Sequence, residues 1–566
     1  MSRTNAGAHE ALEAEAVARL LTEFGQRLEL EAENTYRARA YYRAAASLRT
    51  LVVPLADVIA AGRVREIPGV GPALESRIVA LHETGTHPKL EAMRREAPEG
   101  VLELLRIPRL PADKVARLHR ELGIDSLDAL EAACRRGDLA AVKGFGPALQ
   151  DTILRGIALM RRSQGLRLLH HAEDALEAAR TALERSRPEL SRVVAAGDVR
   201  RGCELVADLA LVAEVPEDAV AGRLDLGDLA LVLATRAAYG AALVVATGSA
   251  AHVEALQARA QERGYTLDAA GLRRGRKAVP CPEETDVYAA LGLPFIAPEL
   301  REGGDEVALA AQGRLPVLVE AADLRGLVHC HTDFSDGGDT LDEMARATRK
   351  RGYSYFGVAD HSKSAGYAGG LSVERVAEQH ALADALNKRM RGFRIFKGIE
   401  SDILLDGSLD YPDEVLARFD FVVASVHSRF RLDPQTQTAR IVRAVSNPYT
   451  TILGHMTGRM LTRREGYEVD IPAILTACAE HGVAVEINAN PHRLDVDWRW
   501  HRLALDLGCI MSINPDAHST AELDLTRYGV LMARKGGVPK DRVLNCLDVD
   551  GFRAHLDARK RRALGT

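Results

Sequence analysis

Lysine is scarce in this 566-residue chain: only 11 of its 74 basic side chains are lysine, and none precedes Lys89. Side-chain chemistry that needs an ε-amine, such as Schiff-base attack on a sugar aldehyde, is thereby excluded from the first 88 residues. Cysteine is equally uninformative as a scaffold. The seven cysteines are odd in number and contain no CxxC pair, which excludes a disulfide framework and a thiolate zinc site and fits a reducing compartment. No run reaches the roughly 18 uncharged apolar residues of a membrane span. The N-terminal stretch MSRTNAGAHEALEAEAV reads as an acidic amphipathic helix, not a secretory leader, so a cytosolic protein with no membrane partner is expected. The net charge of −5 shows no basic excess, which leaves any nucleic-acid partner to local arginine-rich faces.

What is present is histidine, unevenly spread: ten of 18 lie between His329 and His518. With 47% hydrophobic and 27% charged residues the chain is globular, and its length predicts about three to five domains. Residues 8 to about 165 read as successive helices joined by short turns. Strand patterning begins with VVAAG at 193 and LALVAEV at 209, and a loop-rich piece follows at 281 to 302. From Gly326 onward, short apolar runs (LVHCH, YFGVADH, FRIFKGIE, FVVASVH, TILGH, AVEINAN, CIMSINPDAH) alternate with helical stretches. Such repeated βα units predict a parallel sheet or barrel.

The ends of those runs carry the chemistry. His329 and His331 stand two apart on a strand, so both imidazoles should point to one face. Asp336, His361, Glu400, His427, His455, Asp516 and His518 complete nine nitrogen or oxygen ligands at the strand edge where (β/α) barrels place their sites. Three protein ligands per ion would leave positions open for water or phosphate, and mixed imidazole and carboxylate donors suit Zn²⁺, Mn²⁺ or Fe²⁺. His380, His481 and His501 fall in helical stretches and read as surface or packing residues.

The motifs HxHTxxSDG, DHS, GIE, SVH, GHxTGR and DAHS resemble the PHP (polymerase and histidinol phosphatase) family of metal-dependent phosphoesterases over residues 326–566. The resemblance implies a distorted seven-stranded barrel and a two- or three-ion site, with Mn²⁺ favoured. It also implies that His329, His331, Asp336, Glu400, Asp516 and His518 serve hydrolysis directly, by the multi-metal logic of an activated water and an in-line displacement. Lys363, Arg459, Asn490 and His492, beside the ligands, are candidates for holding substrate phosphate.

Upstream, EIPGVGPALESRI (66–78) and VKGFGPALQDTIL (142–154) resemble the helix-hairpin-helix DNA-binding motif, with Gly69, Gly71, Gly144 and Gly146 forming the turns. Backbone amides at the start of the next helix then hold a phosphate without reading sequence. A third copy, LLRIPRLPADKVARL (104–118), has lost both glycines. The stretch ENTYRARAYYRAAASLR (33–49) interleaves arginine with tyrosine, as a DNA groove would.

Between these regions, AGDVRRGCELVADLALVAE (196–214) resembles the GSxRRxxExxxDxD pattern of a nucleotidyltransferase palm. The order helical region, palm, PHP domain resembles the bacterial family X DNA polymerases along nearly the whole chain. Those polymerases hold two Mg²⁺ ions with three carboxylates. Here Asp208 is kept, but the other two positions are Ala210 and Ala230, and Asp228 would need a register shift to substitute. Asp198 replaces the serine that contacts the triphosphate, and Val245 and Ala246 replace an aromatic pair. The palm therefore reads as degenerate, a scaffold or DNA platform.

The expected architecture is a helical domain with a hairpin (1–90), a second helical domain with a hairpin (91–165), the degenerate palm (166–265), a thumb-like segment (266–312), a linker (313–325) and the barrel (326–566). The expected function is a DNA-repair phosphoesterase, a 3′-5′ exonuclease with abasic-site endonuclease or 3′-phosphatase activity, acting on gapped, nicked, 3′-recessed or abasic DNA in the bacterial cytoplasm, at the nucleoid. Three alternatives stand beside it: an active gap-filling polymerase, a DNA-binding scaffold with structural metals, and a hydrolase of small phosphate monoesters.

Overall fold

The computed structural model describes residues 11–31, 35–49, 51 and 53–565, which form two compact units, one of the residues up to Gln164 with 462–464 and one of the remainder. Among the described residues no helix is long and apolar enough to cross a membrane. The first unit is all helix, as its 3.6-residue apolar spacing predicts. It has two cores, one running from Val17 to Met93 and one from Val101 to Ile157.

Part of the N-terminal helix reading, residues 1–10, lies outside the described residues, and the described helix is Ala14–Leu30. Glu33 and Asn34 of the arginine and tyrosine stretch also lie outside them, and the remainder forms the helix Thr35–Arg49. That helix is only partly the groove face expected of it. Tyr41 turns inward and stacks on Phe24 at 5.2 Å between centroids, while Arg49 pairs with Glu15 at 3.4 Å.

Gly69 (φ 81°) precedes the helix Pro72–Thr84, and Gly144 (φ 90°) precedes the helix Pro147–Arg162. Both turns need the left-handed backbone that glycine adopts without strain. Proline then opens each helix where no amide is required. The third hairpin, which lacks both glycines, keeps the turn: Arg109 (φ 63°) holds the same left-handed conformation before the helix Ala112–Leu122. The motif lost its glycines and kept its shape.

The second unit starts with the helix Leu169–Ser186 lying against a four-stranded sheet in the order Ser191–Ala195, Leu209–Val215, Leu229–Thr235, Gly222–Leu226. The helix Tyr239–Thr247 covers the sheet, and the helix Ala250–Glu262 leads to a small antiparallel meander, Thr266–Asp268, Gly271–Arg274 and Lys277–Val279. The stretch 281–302, expected to be loop-rich, follows this meander and holds the helix Glu284–Ala290.

The barrel strands pair in parallel and in chain order: Gly326–Cys330, Tyr355–Val358, Arg394–Asp402, Phe421–Ser425, Ile452–Leu453, Ala484–Asn488 and Met511–Asn514. Their continuous apolar runs are those of strands buried on both faces. The first and last strands meet at a seam. At its top the His331 amide donates to the Ala517 carbonyl at 2.8 Å. At its bottom Asn545 substitutes for a ladder: its Oδ1 accepts from the Ile513 amide (2.8 Å), its Nδ2 donates to Gly326 (3.3 Å), and its carbonyl accepts from Arg325 (2.7 Å).

Aromatic rings fill the barrel floor. Phe552, from the helix Val549–Leu564, stacks on Tyr355 at 4.8 Å, and Phe421 passes so close to Gly398 that a Cβ there would lie 2.2 Å from its ring. With an apolar floor, the polar residues gather at the C-terminal ends of the strands.

Candidate metal centre

Six of the seven barrel strands deliver all nine sequence-predicted ligands to one place; Ala484–Asn488 supplies none of them. Four overlapping groups have ligand atoms within 4.8 Å of one another: His331, Asp336, His361 and His518; His329, Glu400 and His455; His329, His331 and Asp516; His361, Glu400 and His427. Glu400 stands at the centre. Its Oε1 lies 3.2 Å from His329 Nε2, 3.2 Å from His427 Nε2 and 3.0 Å from His455 Nε2, and its Oε2 lies 2.9 Å from His361 Nδ1. Asp516 Oδ1 is 3.1 Å from His331 Nε2, and Asp336 Oδ1 is 3.4 Å from His518 Nε2.

Simple strand alternation does not bring His329 and His331 together. The ladder to the next strand slips between Leu327 and Cys330, and His329 takes φ 57°, so a bulge turns the two imidazoles toward each other, 5.5 Å apart.

The electrostatics are those of a site awaiting positive charge. Burial alone would push the Glu400 carboxyl up, yet His427, His329 and His361 hold it well below the usual carboxylate range. Burial, with His518 and His361 alongside, drives His331 down to about 3, so it is neutral with a lone pair to offer. His427 runs the other way: burial opposes its charge, but Glu400 and Asp402 raise it to about 10. Buried atoms without hydrogen bonds include His329 Nε2, His331 Nδ1, His361 Nδ1, His455 Nδ1 and Glu400 Oε2. Orphaned donors and acceptors at one point are costly in a protein core, and divalent cations would satisfy them.

An outer layer, missed in the sequence reading, orients these ligands. Glu486 accepts from His329 Nδ1 at 2.5 Å and from the His455 amide at 2.6 Å, and Asn514 donates to it at 2.7 Å. Asp402 accepts from His427 Nδ1 at 2.6 Å. Asp360 gathers Thr332, Ser335 and Gln379. The signal was legible: a carboxylate inside an apolar strand, as in AVEIN, needs a partner. Arg493, also overlooked, reaches within 3.7 Å of Asp516 Oδ2.

Among the four phosphate candidates, Lys363 is exposed. The Arg459 guanidinium donates to the Arg493 and Leu494 carbonyls and to Asp497, so it braces the 493–497 loop. Asn490 caps its own loop by accepting from the His492 amide at 3.0 Å. His492 packs beside His170, 5.0 Å between ring centroids, away from the ligand groups.

In the palm, Ala210 and Ala230 are direct partners in the parallel ladder. Asp208 is exposed, and Asp228 lies just outside the strand Leu229–Thr235 in an ion pair with Arg167. Asp198 accepts from Arg201 and from the Ala207 amide, while Arg200 is held by Glu284. Among the described residues, the groups of three or more converging metal-capable side chains all belong to the barrel. Gly71 and Gly146, at the first hairpin helix starts, have negative φ and no atom within 4 Å of a built Cβ, so neither backbone strain nor crowding inside the chain demands glycine there.

Comparison with known proteins agrees with this layout. Family models match for a helix-hairpin-helix domain at residues 13–87, the DNA polymerase beta thumb at 242–302 and the PHP domain at 328–490. The chain is 32% identical over 574 residues to the DNA polymerase/3′-5′ exonuclease PolX of Bacillus subtilis (strain 168), covering 95% of this chain and 98% of that relative. It is also similar to probable phosphatases, 28% identical to one of Thermoanaerobacter sp. (strain X514) over 42% of this chain and 96% of the relative, and 25% identical to one of Caldanaerobacter subterraneus over 42% and 92%.

Proposed function

This chain belongs to the PolX family, and on that premise we propose that it is a metal-dependent DNA phosphoesterase whose barrel trims 3′ ends while its palm no longer polymerises. The observation that carries this reading is the contrast between its two phosphoryl-transfer sites: nine converging ligands in the barrel, and a pair of facing methyl groups, Ala210 and Ala230, in the palm.

In the barrel, His329, His331, Asp336, His361, Glu400, His427, His455, Asp516 and His518 would hold two or three divalent ions, with Mn²⁺ favoured. Bound there, such ions supply a water acidic enough to ionise near neutral pH and offset charge on the phosphate. The chain's own groups do the positioning. Glu486 and Asp402 take the far nitrogens of His329 and His427 and so aim each ring. Arg493, beside Asp516, takes the phosphate-holding part first assigned to Arg459. DNA is the partner, and Gly71 and Gly146 leave open ground where a phosphate backbone approaches the helix starts. Abasic-site cleavage and 3′-phosphate removal are the neighbouring activities, the second favoured by the likeness to phosphatases.

In the palm, Asp198 occupies Arg201 as a triphosphate would, and its negative charge repels one. A working gap-filling polymerase would need carboxylates that Asp208 lacks beside it.

A primed template incubated with Mn²⁺, with and without deoxynucleotides, tests both halves. Shortening of the primer in each case, abolished in His331→Ala, is the expected result. Primer extension with deoxynucleotides would return the palm to the polymerases, and shortening that survives in His331→Ala would remove the barrel as the nuclease.

A further inference from the structure

Tyr367 is 73% exposed, although this chain buries most of its large rings, Tyr239, Tyr288 and Tyr355 among them. Its ring centroid lies 6.1 Å from that of His361 and 6.4 Å from that of His427, two of the proposed metal ligands. Its hydroxyl makes no hydrogen bond among the described residues. A largely exposed ring gains little from packing, so what distinguishes Tyr367 is its place at the rim of the ligand cluster.

The mount is rigid. Tyr367 sits in the short turn Gly366–Ala368, and Ala365, Ala368 and Leu371 around it are buried. The Leu371 amide donates to the His361 carbonyl at 2.9 Å, and the Ala365 amide to Ser362 at 3.0 Å. Gly370 lies so close to this strand end that a Cβ there would stand 2.0 Å from the Ser362 carbonyl oxygen. The turn is thus tied to the segment that carries His361, which sets the backbone of Tyr367 beside the cluster. A flat apolar face held near a phosphodiester-hydrolysing site suits the other end of a nucleotide, its base, because every base offers a π-face.

We propose that Tyr367 is a nucleobase subsite, on which the base of the nucleotide being released stacks while its phosphodiester lies at the metal cluster. This rests on the phosphoesterase reading above and adds what that reading lacks, a reason to prefer ends that carry a base over base-free phosphates. It also ranks the activities: trimming of intact 3′ nucleotides comes before processing of abasic ends.

The test compares two 3′-recessed duplexes that differ only in the last residue, an ordinary nucleotide or a tetrahydrofuran abasic analogue, with the full chain and Mn²⁺. The wild type should favour the base-bearing end through KM more than through kcat. In Tyr367→Ala the KM for that end should rise roughly ten- to hundredfold and the two ends should become equivalent. Tyr367→Phe should restore the preference. A second readout needs no turnover: 2-aminopurine at the 3′ end should be quenched on binding to the metal-free wild type and not on binding to Tyr367→Ala. Equal hydrolysis of both ends by the wild type, or quenching that survives in Tyr367→Ala, would overturn the subsite. Hydrolysis of neither end by the wild type would overturn the phosphoesterase reading itself, and the subsite with it.

Discussion

The Lys535 ammonium donates to the Glu302 carboxylate, tying the barrel helix Thr526–Lys535 to a turn of the thumb segment. Lys535 is almost wholly buried, and it also donates to the Arg201 carbonyl at 3.0 Å and to Cys203 Sγ at 3.9 Å, so palm, thumb and barrel meet at this one cation. Glu302→Ala leaves a buried ammonium without a counter-charge and should cost roughly 3 to 5 kcal/mol, with Glu302→Gln milder. Denaturant unfolding followed by tryptophan fluorescence is a suitable measurement, since Lys535 lies 4.8 Å from the Trp498 ring.

Acid should weaken the same region. Burial alone would raise the carboxyls of Glu284 and Glu302, but Arg200 and Arg301 hold the first below its ordinary value, and Lys535 and Arg201 hold the second. Groups lowered on folding contribute stability that is full above the unfolded carboxyl value of about 4.3 and is lost as pH falls through the folded values. The share of the melting temperature that these two carboxylates supply should therefore be nearly flat from pH 7 to 5 and fall below that. The fall should be shallower in Glu284→Gln, which starts from a lower plateau.

Arg109→Gly should stabilise the helical unit. A non-glycine residue in the left-handed region costs roughly 1 to 2 kcal/mol, partly offset by the extra freedom glycine gains when unfolded. A net gain of about 0.5 to 1 kcal/mol is expected from urea unfolding. A loss would mean that the arginine side chain contributes more than its backbone costs.

Glycines 71 and 146 should matter to DNA more than to folding. Replacing both with valine puts branched side chains into space that is empty in the protein, so the affinity for duplex DNA should fall tenfold or more, about 1.4 kcal/mol per decade. Unfolding should change by no more than about 1 kcal/mol per helix start. Fluorescence anisotropy and urea titration on the same preparations separate the two effects.

Glu486→Gln keeps the size of a residue that touches His329, the His455 amide and Asn514 but removes its charge. Metal affinity should drop roughly 10- to 100-fold, as for other outer partners of ligating histidines. Direct Mn²⁺ titration checks it. Unchanged affinity would mean that the strand holds His329 without help.

Much of this was legible in the sequence because its signals were local. The barrel followed from apolar runs with βα spacing, and the ligands from histidine and carboxylate at their ends. The loop-bracing contacts of Arg459 were not legible, because its neighbours in sequence are ligands while its partners, Arg493 to Asp497, lie more than thirty residues away, and only the folded loop brings them together. Glu486 was missed for the opposite reason: it sits in the middle of a strand, where attention to strand ends passes over it. Arg109 shows a third limit. Residue type signals a left-handed turn through glycine, and a turn kept by its surroundings after the glycine has gone leaves no such mark.

The closure of the barrel has a further consequence. At the floor of the seam the first and last strands are joined through Asn545, which belongs to no strand. Without its amide and carbonyl, Gly326–Cys330 and Met511–Asn514 would each present unpaired backbone groups along an edge, and an open parallel edge is a template for a strand from another molecule. A single residue at the foot of the barrel thus pairs backbone groups that would otherwise lie open where the first and last strands meet.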